Sequence, residues 1–175
     1  MSLKQIMRCS WHREDGNATI EFALIFPAIM TLFLMVFEVG LYMTRGVMLD
    51  RAVDIGMREL RLGTLTPMTH DGLKTKICDN SVIIPNCDST VLIELRPIDE
   101  DTWSPLDQDA TCVDRSEEVQ PVLDFDSGAK HEMMLVRVCA VFDPFFPTGK
   151  MASQMKLDDT GGYALVAVSA YVNEP

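Results

Sequence analysis

Hydrophobic residues form one long block near the start of the chain, and shorter groups of apolar residues follow it. The block runs from Ala18 to Thr44, and acidic residues occur in it only near its two ends, at Glu21 and Glu38. As an α-helix this block would extend about 40 Å, which exceeds the roughly 30 Å hydrocarbon core of a bilayer. The pattern therefore predicts a transmembrane helix over residues 17–44.

The pattern becomes amphipathic after Thr44. Four small or apolar residues fall on one helical face, and charged residues occupy another. The apolar face consists of Leu49, Val53, Gly56 and Leu60. Gly63 is suited to end such a helix, and Pro67 follows soon after. We therefore predict an amphipathic extension over residues 45–63. Its apolar face can pack against the protein's own head or against a partner helix, and we favour the protein's own head.

The pattern over residues 64–175 predicts a small domain, the head, that contains both helix and strand. A short helix is expected over Gly72–Cys78, and the region 97–130 reads as loops with at most one short strand. Strands are expected at Thr90–Arg96, Met133–Phe142 and Tyr163–Val172. The last two are expected to pair antiparallel. The predicted class is α+β, with a long N-terminal helix followed by a small antiparallel sheet.

Composition and motifs argue against several functions. The chain carries 15 basic and 26 acidic residues, a net charge of −11, and such an acidic protein repels nucleic acid. The sequence contains no phosphate-binding glycine loop, HExxH or GxSxG motif. Acidic groups lack EF-hand spacing, so solvated loops are favoured over calcium sites. We predict no enzyme activity, no cofactor, no metal site and no nucleic-acid partner.

The cysteines predict an oxidising compartment for the head. Cys9 precedes the apolar block, and four cysteines follow it: Cys78, Cys87, Cys112 and Cys139. An even number on one side of a membrane suits two disulfides, although three pairings are possible. We prefer Cys78–Cys87 with Cys112–Cys139, because the first pair is close in sequence. A zinc site is the alternative, but the irregular spacing contains no CxxC.

The first sixteen residues read as a short leader that Gly16 closes. Its basic residues are Lys4, Arg8 and Arg13, and they favour a cytoplasmic N-terminus. A secretory signal peptide would carry its cleavage site after the apolar core. Here the apolar core follows Gly16, so cleavage between Gly16 and Asn17 would leave it as the new N-terminus.

Glu21 has two interpretations. A carboxylate near one end of a membrane helix can reach the lipid–water boundary. Alternatively, cleavage before Asn17 exposes an α-amine one helical turn from Glu21, and the carboxylate can pair with that amine or with a neighbouring subunit's. Such a pair would fix the register between parallel helices.

Three further residues of the block have expected roles. Pro27 removes a helical hydrogen bond and should bend or loosen the helix. Glu38 is expected at the outer lipid–water boundary. Gly40 offers a close helix–helix contact.

The segment GNATIEFALIFPAIMTLFLMVFEVG at residues 16–40 resembles TadE/TadF pseudopilins of tight-adherence (Flp, type IVc) pilus systems, within the type IV prepilin class. The residues that carry the resemblance are Gly16, Glu21, Phe22, Ala23, Leu24, Pro27, Glu38 and Gly40. VRVCAVFDPFFP and SAYVNEP near the C-terminus loosely resemble the closing strands of TadE-like proteins. TadE-like and TadF-like branches stay equally open.

The resemblance implies a minor pilin-like subunit of the inner membrane that assists pilus assembly. A prepilin peptidase would cleave between Gly16 and Asn17, while Glu21 and Phe22 would serve processing and assembly. Other pilins, pseudopilins and the inner-membrane pilus platform would be its partners, and the head would lie in the periplasm. Incorporation into an adhesive surface fibre stays open. The alternative is an uncleaved single-pass protein whose periplasmic head binds other secretion-machinery components.

Overall fold

The computed structural model describes residues 18–104, 109–117, 125–146 and 162–174, and it confirms the predicted α+β class. The chain divides between Phe37 and Glu38 into two compact units. In chain order the elements are α1 (Ala18–Arg61), α2 (His70–Asn80), α3 (Cys87–Thr90), β1 (Val91–Pro97), β2 (Met133–Phe142) and β3 (Tyr163–Val172).

Helix α1 joins the predicted membrane segment and the predicted amphipathic extension in one element of 44 residues. Its C-terminal end is closed by backbone hydrogen bonds. Gly63 adopts a positive φ of 64°, a conformation that glycine reaches without a Cβ penalty. The Gly63 N–H donates to the Leu60 carbonyl at 3.1 Å, and the Thr64 N–H donates to the Glu59 carbonyl at 3.0 Å. This pattern is a Schellman motif.

The second half of α1 forms one side of the hydrophobic core. Its buried face contains Leu49, Ala52, Val53, Gly56, Met57 and Leu60. A Cβ atom built on Gly56 would lie 3.0 Å from the Leu73 Cδ1 atom of α2. Glycine at this position therefore lets α1 and α2 approach closely.

The three strands form one antiparallel sheet in the order β1-β2-β3. The predicted pairing of the last two strands is confirmed, with Met133 opposite Val172 and Phe142 opposite Tyr163. The bounds of β2 and β3 agree with the sequence prediction, while β1 begins and ends one residue later than expected. Strand β2 lies in the centre, and nine of its ten residues are buried.

The sheet face opposite α1 contains an ion pair that the sequence did not reveal. The Arg137 Nε atom donates to Glu94 Oε2 at 2.8 Å, and Arg137 Nη2 donates to Oε1 at 3.0 Å. Register brings the two together, because Glu94 of β1 lies directly opposite Arg137 of β2. Both side chains are buried, and removing one partner of such a pair costs about 3–5 kcal/mol.

Two disulfides hold irregular segments to this framework. Cys78 of α2 is joined to Cys87 of α3, with their Cα atoms 5.6 Å apart. Cys112 is joined to Cys139 on the outer face of β2, with a Cα distance of 5.2 Å. These are the pairings preferred from the sequence. Each bridge contributes about 2–4 kcal/mol, and the second one fastens residues 109–117 over the central strand.

We expect Gly56→Val to destabilise the head and Gly40→Val to leave it unchanged. A Cβ atom at Gly56 meets α2, whereas one at Gly40 meets no atom within 4 Å. Both variants change helix propensity equally, so the difference isolates packing. Overpacking should lower the free energy of unfolding by about 1–3 kcal/mol. Urea denaturation of the full chain in detergent, followed by near-ultraviolet circular dichroism, measures it. Equal losses in both variants would contradict the packing described.

Candidate functional site

The predicted site residues lie on α1 or just before it. Gly16 and Asn17, the predicted cleavage site, lie outside the described residues. Glu21 lies in the first turn of α1, where a carboxylate interacts favourably with the helix dipole. Its side chain is exposed. It forms no ion pair with any residue that the structure describes.

The surface of α1 before Glu38 is apolar and uncovered. Its most apolar 18-residue window has a mean hydropathy of 2.3, and none of that window is buried. Exposed large side chains point in all directions around the helix: Ile20, Phe22, Leu24, Ile25, Phe26, Ile29, Leu32, Phe33, Val36 and Phe37. The core helix of a soluble protein would be mostly covered. This segment therefore has the surface of a single-pass membrane anchor.

Phe22 and Pro27 occupy the first half of this apolar segment. The Phe22 ring stacks on the ring of Phe26, with centroids 5.0 Å apart. Pro27 lies inside α1, which continues unbroken across it. Because proline has no N–H, the Ala23 carbonyl lacks the helical donor it would otherwise receive.

Glu38 is the buried acid at the start of the second unit. Its side chain binds the turn that follows β2. The Phe145 N–H donates to Glu38 Oε1 at 2.8 Å, and the Phe146 N–H donates to Oε2 at 3.0 Å. Glu38 is only 7% exposed. The expected boundary residue is thus also the group that fastens this turn to α1.

Aromatic side chains and one cation surround the same part of the head. The Tyr42 ring packs edge-on against Tyr163, with centroids 5.6 Å apart. Arg45 lies over the Phe142 ring, with its Cζ atom 4.4 Å from the centroid. Burial raises the pKa of the Tyr163 phenol, and the negative charge of Glu38 raises it further. These contacts connect α1 to the ends of β2 and β3.

Gly40 lies on an open face of α1. A Cβ atom built there would meet nothing within 4 Å. Met43 and Val47 follow at helical spacing on the same face, and both are exposed. The head core lies on the opposite face, through Leu49 and Val53. The predicted helix contact at Gly40 is therefore available to another helix.

A metal-binding cluster is not found in the described part of the chain. No group of three or more His, Cys, Asp or Glu side chains is placed to hold a metal ion among these residues. The acidic loop at Asp99 is instead organised by its own backbone. The Asp101 N–H donates to Asp99 Oδ1 at 2.9 Å, and such hydrogen bonds lower the pKa of Asp99.

Sequence reasoning missed the partners of Glu38. The donor amides are more than a hundred positions away along the chain. Every residue except proline has a backbone N–H group, so the sequence does not show which ones bind Glu38. The sequence singled out this acid only by its place near the end of the apolar block and by the resemblance that includes Glu38 and Gly40.

We expect Glu38→Ala to release the turn at Phe145 and Phe146. A hydrogen bond to a charged group contributes about 1.5–3 kcal/mol, so exchange of both amides should quicken about tenfold or more. Hydrogen exchange resolved by NMR in micelles measures this, with the Val138 amide in β2 as an internal control. Unchanged protection at both amides would contradict the carboxylate contact.

One comparison with known proteins identifies the N-terminal segment. Residues 16–58 match the family model described as TadE-like protein. No curated protein and no solved structure gives a significant match. The match covers the segment from the predicted cleavage site to near the end of α1. It confirms the resemblance of this segment to TadE-like proteins and suggests an association with Tad pilus systems. Over residues 16–58, this chain is similar to TadE-like proteins.

Proposed function

We propose that this protein is a minor pilin-like subunit, a pseudopilin, that assists assembly of a tight-adherence pilus. Its role is structural and not enzymatic. The observation that carries the proposal is the uncovered apolar surface of α1 before Glu38, with an exposed acid in its first turn. This surface lies within the TadE-like segment. A prepilin peptidase, other pilins and the inner-membrane platform are the proposed partners.

Glu21 is the proposed docking group. Cleavage between Gly16 and Asn17 exposes a positively charged α-amine about one helical turn before the carboxylate. A lone carboxylate costs about 2.5 kcal/mol or more at the bilayer centre, and less near the end of a span, where Glu21 lies. Pairing with the amine of a neighbouring subunit offsets this cost. The pair also fixes how far one helix slides along the next.

The open face at Gly40 supports a helix–helix contact beyond Glu38. Helices approach closely where a small residue lies at their crossing. Met43 and Val47 extend this exposed face. The face lies away from the head core, so a neighbouring helix can occupy it without displacing the protein's own contacts.

The proposed topology is single-pass, with the N-terminus in the cytoplasm and the head in the periplasm. Lys4, Arg8 and Arg13 precede the apolar segment, as expected for a cytoplasmic flank. All four cysteines beyond the segment are paired in disulfides. Such bonds persist in oxidising compartments, of which the bacterial periplasm is one.

We expect the mature chain to begin at Asn17. Mass spectrometry of membrane-extracted protein from cells with an active prepilin peptidase measures the N-terminus. Gly16→Ala should abolish processing, because the peptidase acts at that glycine. Gly40→Ala is the matched control and should be processed normally. A wild-type chain that still begins at Met1 would contradict processing and favour the uncleaved protein whose head binds other secretion components.

We expect Glu21→Gln to reduce fibre yield by about tenfold or more. The change keeps the size of the side chain and removes its charge, and losing one member of a desolvated ion pair costs about 3–5 kcal/mol. Quantifying sheared pili, alongside membrane levels of the subunit, measures the effect. Asp50→Asn removes one charge from an exposed position of the same helix and should leave yield unchanged. Normal fibre yield with Glu21→Gln would end the electrostatic docking model.

A further inference from the structure

The turn after β2 presents two adjacent aromatic rings. Phe145 is 62% exposed, and its ring lies edge-on to that of Phe146, with centroids 5.1 Å apart. Asp143, just before them, is exposed and pairs with Arg115 at 2.6 Å. The turn thus carries an apolar tip beside an ion pair whose carboxylate is exposed. Such a division suits a boundary between water and an apolar phase.

The contact with Glu38 determines where along the length of α1 this turn lies. The uncovered apolar segment from Ala18 to Phe37 would extend about 30 Å as a helix, which matches the hydrocarbon core of a bilayer. Glu38 follows directly, so its carboxylate lies at the boundary of the proposed span on the head side. Its oxygen atoms lie 2.8 and 3.0 Å from the Phe145 and Phe146 nitrogens. The turn is therefore held at the same boundary.

The two hydrogen bonds also explain why an acid is tolerated there. A carboxylate leaving water loses its hydration, and this cost falls when both oxygens accept hydrogen bonds from the protein. The same two hydrogen bonds hold the backbone of the turn in place, while the Phe145 ring stays outside the core.

We propose that the Phe145–Phe146 turn is a second membrane contact, in which the Phe145 ring enters the interface of the phospholipid leaflet nearest the head. Glu38 acts as a positioning residue for this contact. The inference rests on the proposed membrane anchoring of α1. A second attachment point restricts tilting of the head relative to the bilayer surface.

Lipid fits this turn better than a second copy of the chain. The ring lies at the level of the proposed bilayer boundary, so lipid is adjacent whenever α1 is inserted. A partner protein would have to reach the same level and displace that lipid. An exposed phenylalanine ring suits the boundary between lipid headgroups and acyl chains, where Trp, Phe and Leu side chains of interfacial segments are buried.

Single-tryptophan variants of the full chain in nanodiscs test the contact. Trp11 and Trp103, the two native tryptophans, are replaced by phenylalanine. Phe145→Trp is compared with Val168→Trp, a β3 position of similar exposure at 57%, and with Phe33→Trp, at 60% within the apolar segment. The lipids carry bromine, which quenches tryptophan fluorescence, either near the headgroup or near the bilayer centre.

We expect headgroup-proximal bromine to quench Trp at 145 severalfold more than Trp at 168. Bromine near the bilayer centre should quench Trp at 33. Absence of quenching at 33 would overturn the membrane anchoring itself. Quenching at 33 without quenching at 145 would overturn only the second contact. Protection of position 145 that appears solely in discs with two copies would show docking on another chain and would also overturn it.

Glu38→Ala tests the positioning role. Quenching at 145 should fall towards the level at 168, while quenching at 33 stays the same. Unchanged quenching at 145 would overturn this role. Thermal unfolding of each variant checks that the head is folded. If Phe145→Trp unfolds, 4-fluorophenylalanine at the same position replaces it, and broadening of its fluorine resonance by gadolinium-labelled headgroups gives the same comparison.

Discussion

The structure depends on one helix that must satisfy two environments along its length. Up to Phe37, α1 exposes apolar side chains in all directions, and a helix with such a surface is stable where lipid or other protein covers it. From Leu49 onward the same helix buries one face against α2 and the sheet. No break separates the two regimes. Because α1 is continuous, the position at which the head begins to pack on it also determines where the apolar segment ends.

The head packs on the second half of that helix. Strand β2 is buried on both faces, with α1 on one side and residues 109–117 fastened to the other through Cys139. On the second face, the Glu94 carboxylate pairs with both Arg137 and Arg96. A small domain gains stability from such crosslinks when its core alone is modest.

Much of this architecture could be predicted, because the spacing of apolar residues and the residues that end helices and strands are local signals in the sequence. The apolar block predicted α1, Gly63 predicted where α1 ends, and runs of β-branched residues predicted β2 and β3. The pairing of Cys78 with Cys87 agreed with their short separation. Long-range partners could not be predicted in the same way. Glu94 pairs with Arg137 because the sheet register places them opposite each other. Glu38 accepts hydrogen bonds from backbone amides, and the identity of a side chain does not show which amides will donate.

The two acids of the apolar segment differ in how they are satisfied. Glu38 accepts hydrogen bonds from two backbone amides of its own chain, so its burial is complete within one subunit. Glu21 is exposed and has no ion-pair partner among the described residues. In a bilayer, an acid with no compensating group is costly. The chain thus stabilises one acid internally, while the proposed pairing with an amine at a helix N-terminus would stabilise the other. Under that proposal, the exposed acid favours the association of helices over a solitary helix.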